Sequence, residues 1–150
     1  MAVRGAFHTG FTVSNMERSL AFYRDLLGME VLAEFVPAEY FQRVVGFPGA
    51  RARIAFLRAP NDAHRLELLE YESPRGEPTP RETNRPGNGH ICFYVDDIVA
   101  MHRRLSAAGV TFVSDPIQIT AGPNQGARAV YLRDPDGFTV ELFQPRPEAG

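Results

Sequence analysis

The sequence predicts an α+β fold built from two β-α-β-β-β units, and two observations support this interpretation. First, the chain carries an internal repeat: His8 and His90 are 82 positions apart, and so are Phe11 and Phe93. Second, the apolar residues of each half change from the spacing of a strand to that of a helix, and then back to that of strands. With 150 residues, the chain forms one ordinary domain or two very small halves that share a core.

The first unit begins with a strand over residues 6–13, where His8 lies on the opposite face from Phe7 and Phe11. A helix follows, which Ser14 or Asn15 can cap and which the glycine at position 28 can end. The segment 38–45 is either a short helix or a lid. Further strands are predicted at 29–36, 51–58 and 65–71.

The second unit repeats this plan. A strand at 89–95 precedes a helix that Gly109 ends, and a loop is predicted at 117–125. The remaining strands are predicted at 110–114, 127–132 and 138–144, and residues 148–150 are expected to fray. Residues 73–88 are rich in Pro, Gly, Glu and Arg, which is typical of a linker. We therefore predict a single domain over 1–150, in which linker 73–88 joins modules 6–72 and 89–145.

Composition excludes several classes of function. The net charge of −2 indicates no nucleic-acid surface and no basic membrane patch. No window reaches the roughly 18 apolar residues of a membrane-spanning helix. Cys92 is the only cysteine, so no disulfide can form within the chain. We expect a cytoplasmic protein that acts on a small molecule.

Each unit places a histidine on its first strand and a glutamate on its last. Leu66-Glu67-Leu68 matches Val140-Glu141-Leu142, as His8 matches His90. If the flanking apolar residues pack on helices, these four polar side chains project from the other, concave face. A carboxylate is costly to bury alone, and a divalent cation would satisfy it. Two imidazoles and two carboxylates suit Zn²⁺, Ni²⁺, Co²⁺, Mn²⁺ or Fe²⁺ better than Ca²⁺ or Mg²⁺.

Between residues 6 and 145 the chain resembles the vicinal oxygen chelate superfamily, which includes glyoxalase I, methylmalonyl-CoA epimerase and the extradiol dioxygenases. Any one of the matching segments is weakly specific, but together and in this order they are specific. The segments are Phe7-His8-Thr9, Ser19 to Met29, Leu66-Glu67-Leu68, Gly89-His90-Ile91, Asp96-Asp97-Ile98 and Asp134 to Glu141.

The resemblance implies a glyoxalase-like architecture: the two βαβββ modules form a cupped mixed sheet with helices on its outer face. It implies one divalent metal ion in the cup, with His8, Glu67, His90 and Glu141 as ligands. Two neighbouring substrate oxygens chelate the metal in this family, and a carboxylate moves a proton at the carbon next to a carbonyl. Glu141 and Glu67 are therefore expected to form an acid–base pair of an isomerase, an epimerase or a glyoxalase-type lyase.

Alternatives to this reaction stay open. The strand at 52–57 lacks the acid that methylmalonyl-CoA epimerases carry there, which counts against that substrate. An Fe(II)-dependent extradiol-type dioxygenase is the second hypothesis, and a small-molecule-binding or resistance protein is the third. We expect a homodimer, in which one chain or a swapped pair of chains supplies the ligands. Five further side chains are expected to contact substrate: Arg65, Cys92, Tyr94, Tyr131 and Phe143.

Overall fold

A computed structural model describes residues 2–147 of the chain. It divides into two compact units, Met1–Pro78 and Thr79–Gly150, and the boundary falls inside the segment predicted as a linker. Each unit contains one four-stranded mixed sheet and at least one helix. The predicted α+β fold is confirmed, while the predicted fraying at 148–150 lies outside the described residues.

The sheet of the first unit has the strand order β1-β4-β3-β2. Its strands are β1 (His8–Thr12), β2 (Glu30–Phe35), β3 (Arg51–Arg58) and β4 (Arg65–Ser73). Strand β1 runs parallel to β4, whereas β3 is antiparallel to both β4 and β2. The first and last strands of the unit are therefore neighbours, although more than fifty residues separate them in sequence.

Helix α1 (Met16–Leu20) begins at Asn15, whose side chain accepts a hydrogen bond from the backbone N–H of Arg18. It continues as a π-helix (Ala21–Leu26), in which wider turns replace the predicted regular α-helix. The backbone N–H of Leu27, for example, donates to the carbonyl of Phe22, five residues earlier. Helix α2 (Tyr40–Val45) occupies the segment that was predicted as a helix or a lid.

The sheet of the second unit has the equivalent order β5-β8-β7-β6. Its strands are β5 (His90–Tyr94), β6 (Ile117–Gln118), β7 (Arg128–Arg133) and β8 (Thr139–Gln144). Strand β5 is parallel to β8, and β7 is antiparallel to both of its neighbours. Helix α3 (Ile98–Ala107) follows β5 and is capped by Asp97, whose carboxylate accepts from two backbone N–H groups.

The predicted strand at 110–114 is wrong as a continuous strand. Only an isolated bridge joins Phe112 to Leu132, and β6 pairs with β7 further along, at positions predicted as a loop. Pro116 lies between the bridge and β6. Because proline has no backbone N–H, Pro116 interrupts the hydrogen-bond ladder of the second sheet at this point. The equivalent strand of the first unit, β2, has no break of this kind.

The two faces of the first sheet carry different side chains. On one face, Leu57, Leu66 and Leu68 are fully buried, and α1 is fixed to this face by a hydrogen bond from Met16 N–H to the Glu70 carboxylate. On the other face, the buried ring of Phe41 from α2 packs with Ala52, Ile54 and Tyr71. The second face is also the one that carries Glu67, since Glu67 and Tyr71 have the same parity on β4.

No helix among residues 2–147 combines the length and the apolar character that crossing a bilayer requires.

Candidate functional site

In the first unit, the structure brings together the predicted residues His8 and Glu67. The Nε2 atom of His8 lies 3.3 Å from Oε2 of Glu67. Strands β1 and β4 are parallel neighbours, with His8 beside Arg65 and Gly10 beside Glu67, so both side chains project from one face. In this register His8 and Glu67 are offset by two positions, and their side chains meet on the same face of the sheet.

Gly10 leaves room for the Glu67 carboxylate. A Cβ atom at position 10 would lie 3.2 Å from Oε2 of Glu67, which is tighter than an ordinary van der Waals contact. Because position 10 has no side chain, the Glu67 carboxylate can lie over β1 and approach His8. Gly10 was not predicted as a site residue, because its role depends on the register between two strands distant in sequence.

Aromatic rings surround this first pair. Phe56 is the β3 neighbour of Glu67, and its ring centroid lies 5.6 Å from that of His8. The Phe35 ring stacks on the Phe56 ring, with a centroid separation of 6.0 Å. The Glu67 side chain is only 14% exposed. Its desolvation raises the pKa of Glu67, and the nearby His8 partly opposes that rise. An elevated carboxyl pKa favours a group that both takes up and gives back a proton.

The second unit repeats the pair with the other two predicted residues. The Nε2 atom of His90 lies 3.0 Å from Oε2 of Glu141, whose side chain is 17% exposed. Strands β5 and β8 have the same parallel arrangement, with His90 beside Thr139 and Cys92 beside Glu141. A pair on β1 and β4 of one unit therefore recurs on β5 and β8 of the other.

Two of the predicted substrate-contacting residues border the second pair. The Tyr131 ring lies 5.2 Å from the His90 ring, and Tyr131 is the β7 neighbour of Glu141. Although Cys92 has exposed surface, local desolvation of its thiol, together with the charge of Glu141 and a hydrogen bond to it, raises the pKa of Cys92 to about 11. Burial and the Glu141 charge also raise the pKa of Tyr131.

The separation within each pair fits two neighbouring ligands of one cation. Metal–nitrogen and metal–oxygen bonds of about 2.1 Å place two ligands about 3.0 Å apart at a right angle and about 3.4 Å apart at a tetrahedral angle. Both observed separations, 3.3 Å and 3.0 Å, agree with this range. Within residues 2–147, no group of three or more His, Cys, Asp or Glu side chains is arranged to hold a metal. Each unit thus offers two donors, and the four-ligand site stays a prediction.

The other predicted substrate-contacting residues lie on the same faces as the pairs. Arg65 is beside His8 on β4, and its guanidinium carbon lies 4.6 Å from the centre of the Phe7 ring. Tyr94 and Phe143 are strand neighbours, with ring centroids 5.9 Å apart. Both line an open cavity of ≈ 450 Å³ at the end of β5 and β8.

The prediction that Phe7 and His8 lie on opposite faces is wrong. Phe7 precedes β1, is 61% exposed, and places its ring 5.5 Å from His8 and 6.5 Å from Phe56. Because Phe7 lies outside the strand, strict alternation does not govern its side chain. Phe7, Phe35 and Phe56 form an aromatic cluster beside the first pair. The place of Phe56 beside Glu67 depends on the register of β3 against β4, which alternation within β3 does not determine.

Comparisons with known proteins agree on one family. Residues 5–142 match the model of the Glyoxalase/Bleomycin resistance protein/Dioxygenase superfamily. A 2-epi-5-epi-valiolone epimerase from Actinomyces sp is 33% identical over 142 residues, which cover 91% of this chain and 76% of the relative. A lactoylglutathione lyase from Pseudomonas putida is 30% identical over 163 residues, which cover 93% of this chain and 84% of the relative.

Solved structures share the fold at lower identity. The crystal structure of a glyoxalase family protein from Bacillus cereus has a TM-score of 0.87 and 22% sequence identity, covering 98% of this chain and 97% of that one. At this identity the similarity concerns the fold alone, whereas the family match covers most of the sequence. The chain therefore belongs to the Glyoxalase/Bleomycin resistance protein/Dioxygenase superfamily.

Proposed function

We propose that the protein is a divalent-metal-dependent enzyme that transfers a proton at the carbon next to a carbonyl group of a small substrate. The reaction is that of an isomerase, an epimerase or a glyoxalase-type lyase. The observation that carries this proposal is the recurrence of one His–Glu pair in both units, at 3.3 Å and 3.0 Å. Relatives named as an epimerase and as a lactoylglutathione lyase support the reaction class.

His8, Glu67, His90 and Glu141 are the proposed ligands of one divalent ion, which the family implies. The mixed nitrogen and oxygen donors suit Zn²⁺, Ni²⁺, Co²⁺, Mn²⁺ or Fe²⁺. One chain supplies all four, or two copies in a homodimer share them. When bound, the ion polarises a substrate carbonyl oxygen, which makes the neighbouring C–H more acidic.

The two glutamates carry the proposed proton transfer. An epimerase needs one group that removes a proton from the reacting carbon and a second that returns one to the opposite face. Glu67 suits the first role, because desolvation raises its pKa and an Oε atom then holds a proton more readily. Glu141 is the matching carboxylate of the other unit. A lyase or an isomerase that removes and returns the proton on the same face of the substrate needs only one of the two glutamates as its base.

Five side chains are proposed to contact the substrate. Arg65 lies beside His8 on the first sheet. Cys92 and Tyr131 border Glu141 on the second sheet. Tyr94 and Phe143 lie further along the same face. Such contacts orient the reacting carbon toward a carboxylate and exclude water from the proton transfer.

The test combines two measurements, the metal content of the protein and the exchange of substrate protons with solvent. We expect untagged protein to contain about one divalent ion per site. In D₂O it should incorporate deuterium into at least one member of a panel of α-hydroxy ketones and acyl thioesters. Glu67→Gln and Glu141→Gln should each slow this exchange by at least about 100-fold, the size of a general acid–base contribution.

Glu72→Gln is the matched control, because this exposed glutamate lies on β4 and faces the side opposite to Glu67. It should exchange at the wild-type rate. Wild-type protein that holds no metal and catalyses no exchange, with all four ligands intact, would refute the enzyme proposal. Oxygen uptake that requires Fe²⁺ and a catechol would instead favour the dioxygenase.

A further inference from the structure

The cavity at the end of β5 and β8 lies in the second unit and is open to solvent. Three separate segments line it: the end of β5 with Tyr94, the loop before β7, and the end of β8 with the residues that follow it. Its lining consists of Tyr94, Pro123, Asn124, Ala127, Phe143, Pro145 and Arg146. The cavity volume of ≈ 450 Å³ is enough for a ring-sized group.

The cavity continues the face that carries the second His–Glu pair. Cys92 and Tyr94 are two residues apart on β5, as are Glu141 and Phe143 on β8, so all four share one face. Two residues of a strand span about 7 Å. A substrate whose reacting carbon lies at Glu141 would thus place a group about 7 Å away into the cavity.

The lining is mostly apolar, and its only charged member is Arg146. Tyr94 is 80% exposed, so one aromatic ring at the rim is accessible for stacking. None of the seven lining residues is acidic, and no ion pair of the Arg146 guanidinium is found among residues 2–147. The cavity therefore combines aromatic and proline surfaces with one cation that forms no ion pair with residues 2–147.

The stem of Arg146 lies close to the backbone of Gly126 in the loop before β7. Gly126 has a positive φ of 92°, and a Cβ at this position would lie 3.4 Å from the Arg146 Cβ and 3.9 Å from its Cδ. The loop before β7 thus approaches the arginine stem to the distance at which an added Cβ would make an ordinary van der Waals contact. The base of the side chain therefore lies close to this loop, while Arg146 itself is exposed to solvent.

From these contacts we propose that Arg146 determines specificity, by binding an anionic group, a carboxylate or a phosphate, on an apolar part of the substrate that occupies this cavity. The inference rests on the proposed function, since it assigns the cavity to the substrate of the same site. The aromatic rings of Tyr94 and Phe143 bind the apolar part, and Asn124 offers a further hydrogen-bonding group.

The test uses metal-free, EDTA-treated full-length protein, so that its outcome does not depend on the metal or on turnover. The probes are phenyl phosphate, benzoate, phenol and inorganic phosphate, and binding is followed by amide chemical shifts and calorimetry. Phenyl phosphate or benzoate should bind about threefold to fivefold more tightly than phenol, the effect of one exposed charge interaction. The shifts should map to residues near Tyr94 and Phe143.

Variants identify the group responsible. Arg146→Gln should abolish the preference for the anionic probe and leave phenol binding unchanged, whereas Arg146→Lys should keep most of it. Phe143→Leu should weaken all aromatic probes. Arg128→Gln is the matched control, because Arg128 is the strand neighbour of Gln144 and faces the opposite side of the sheet from Phe143.

Equal affinities of wild type and Arg146→Gln for the anionic probes would overturn the inference. So would inorganic phosphate binding as tightly as phenyl phosphate, since the apolar part would then contribute nothing. A confirmed preference in a protein that catalyses no proton exchange would support this cavity chemistry and count against the proposed reaction alone.

Discussion

The two units present the same His–Glu pair in different surroundings. In the first, the pair lies beside Phe7, Phe35 and Phe56, and α2 packs further along the same face. In the second, Cys92 and Tyr131 border the pair, and an open cavity lies further along. The proposed ligands are thus repeated, whereas the residues around them are not.

One position shows this divergence at the level of a single side chain. Gly10 is the strand neighbour of Glu67, and Cys92, 82 positions later, is the strand neighbour of Glu141. A Cβ at position 10 would press on the Glu67 carboxylate, while the second unit accommodates a thiol that hydrogen-bonds to Glu141. The comparison indicates that a common ligand geometry constrains the histidines and glutamates, and that the rest of each face has specialised.

Removing ligands tests whether the two pairs are equivalent, and the expected effect is the largest. His8→Ala, Glu67→Gln, His90→Ala and Glu141→Gln should each weaken metal binding by on the order of 100-fold or more, because alanine removes a nitrogen donor and glutamine replaces a charged donor by a weak neutral one. The measurement is a competition titration with a chromogenic chelator. Loss of affinity from variants of one unit only would refute the four-ligand site.

Each unit also contains a histidine that serves as a control for these variants. His64 hydrogen-bonds to the Thr9 hydroxyl at 2.9 Å, and His102 packs its ring 4.3 Å from that of Phe112. Neither belongs to a His–Glu pair, so His64→Ala and His102→Ala should keep wild-type metal affinity. A loss in either control would indicate that the assay reports on folding rather than on ligation.

The thiol beside Glu141 has no counterpart in the first unit, and its reactivity measures the second environment directly. With a pKa of about 11, Cys92 should react at pH 8 on the order of 100-fold more slowly with a disulfide reagent than an ordinary thiol does. Its rate should rise with pH up to about pH 11, since only the thiolate reacts. The measurement is a pH–rate profile on EDTA-treated protein.

Glu141→Gln should shift this profile to lower pH, because it removes the charge that disfavours the thiolate. The shift should be partial, since desolvation is the largest cause of the raised pKa. Asp115→Asn is the matched loss of one negative charge: Asp115 is highly exposed and lies near His102 of α3. An unchanged profile in Glu141→Gln would show that the carboxylate does not influence the thiol.

The sequence predicts the repeated pairs because two-residue alternation places each histidine and glutamate on a definite face. It does not predict that Glu67 lies over Gly10, because this requires the register of β1 against β4. The cavity likewise forms where Tyr94, Pro123 and Arg146 meet, and their meeting depends on loop conformation. The break at Pro116 was visible in the sequence, since a residue without an N–H cannot continue a ladder.

The smallest effect is expected from a hydrogen bond that both units share, between the start of a helix and the last strand of the sheet. The N–H of Met16, at the start of α1, donates to Glu70 at 2.9 Å, and that of Ile98, at the start of α3, donates to Gln144 at 3.0 Å. Glu70 and Gln144 lie three residues after Glu67 and Glu141. Each last strand thus carries a proposed ligand on one face and fixes a helix on the other.

The two contacts differ in charge, so truncation should cost different amounts. Glu70→Ala should lower the free energy of unfolding by about 2 kcal/mol and Gln144→Ala by about 1 kcal/mol, because a charged acceptor binds an N–H more strongly than an amide does. The negative charge at a helix N-terminus adds to the first value. Urea denaturation measures both, with the exposed Glu72→Ala as a control that should change little. Equal losses would show that the charge of Glu70 contributes nothing, and that the two units fix their helices by hydrogen bonding alone.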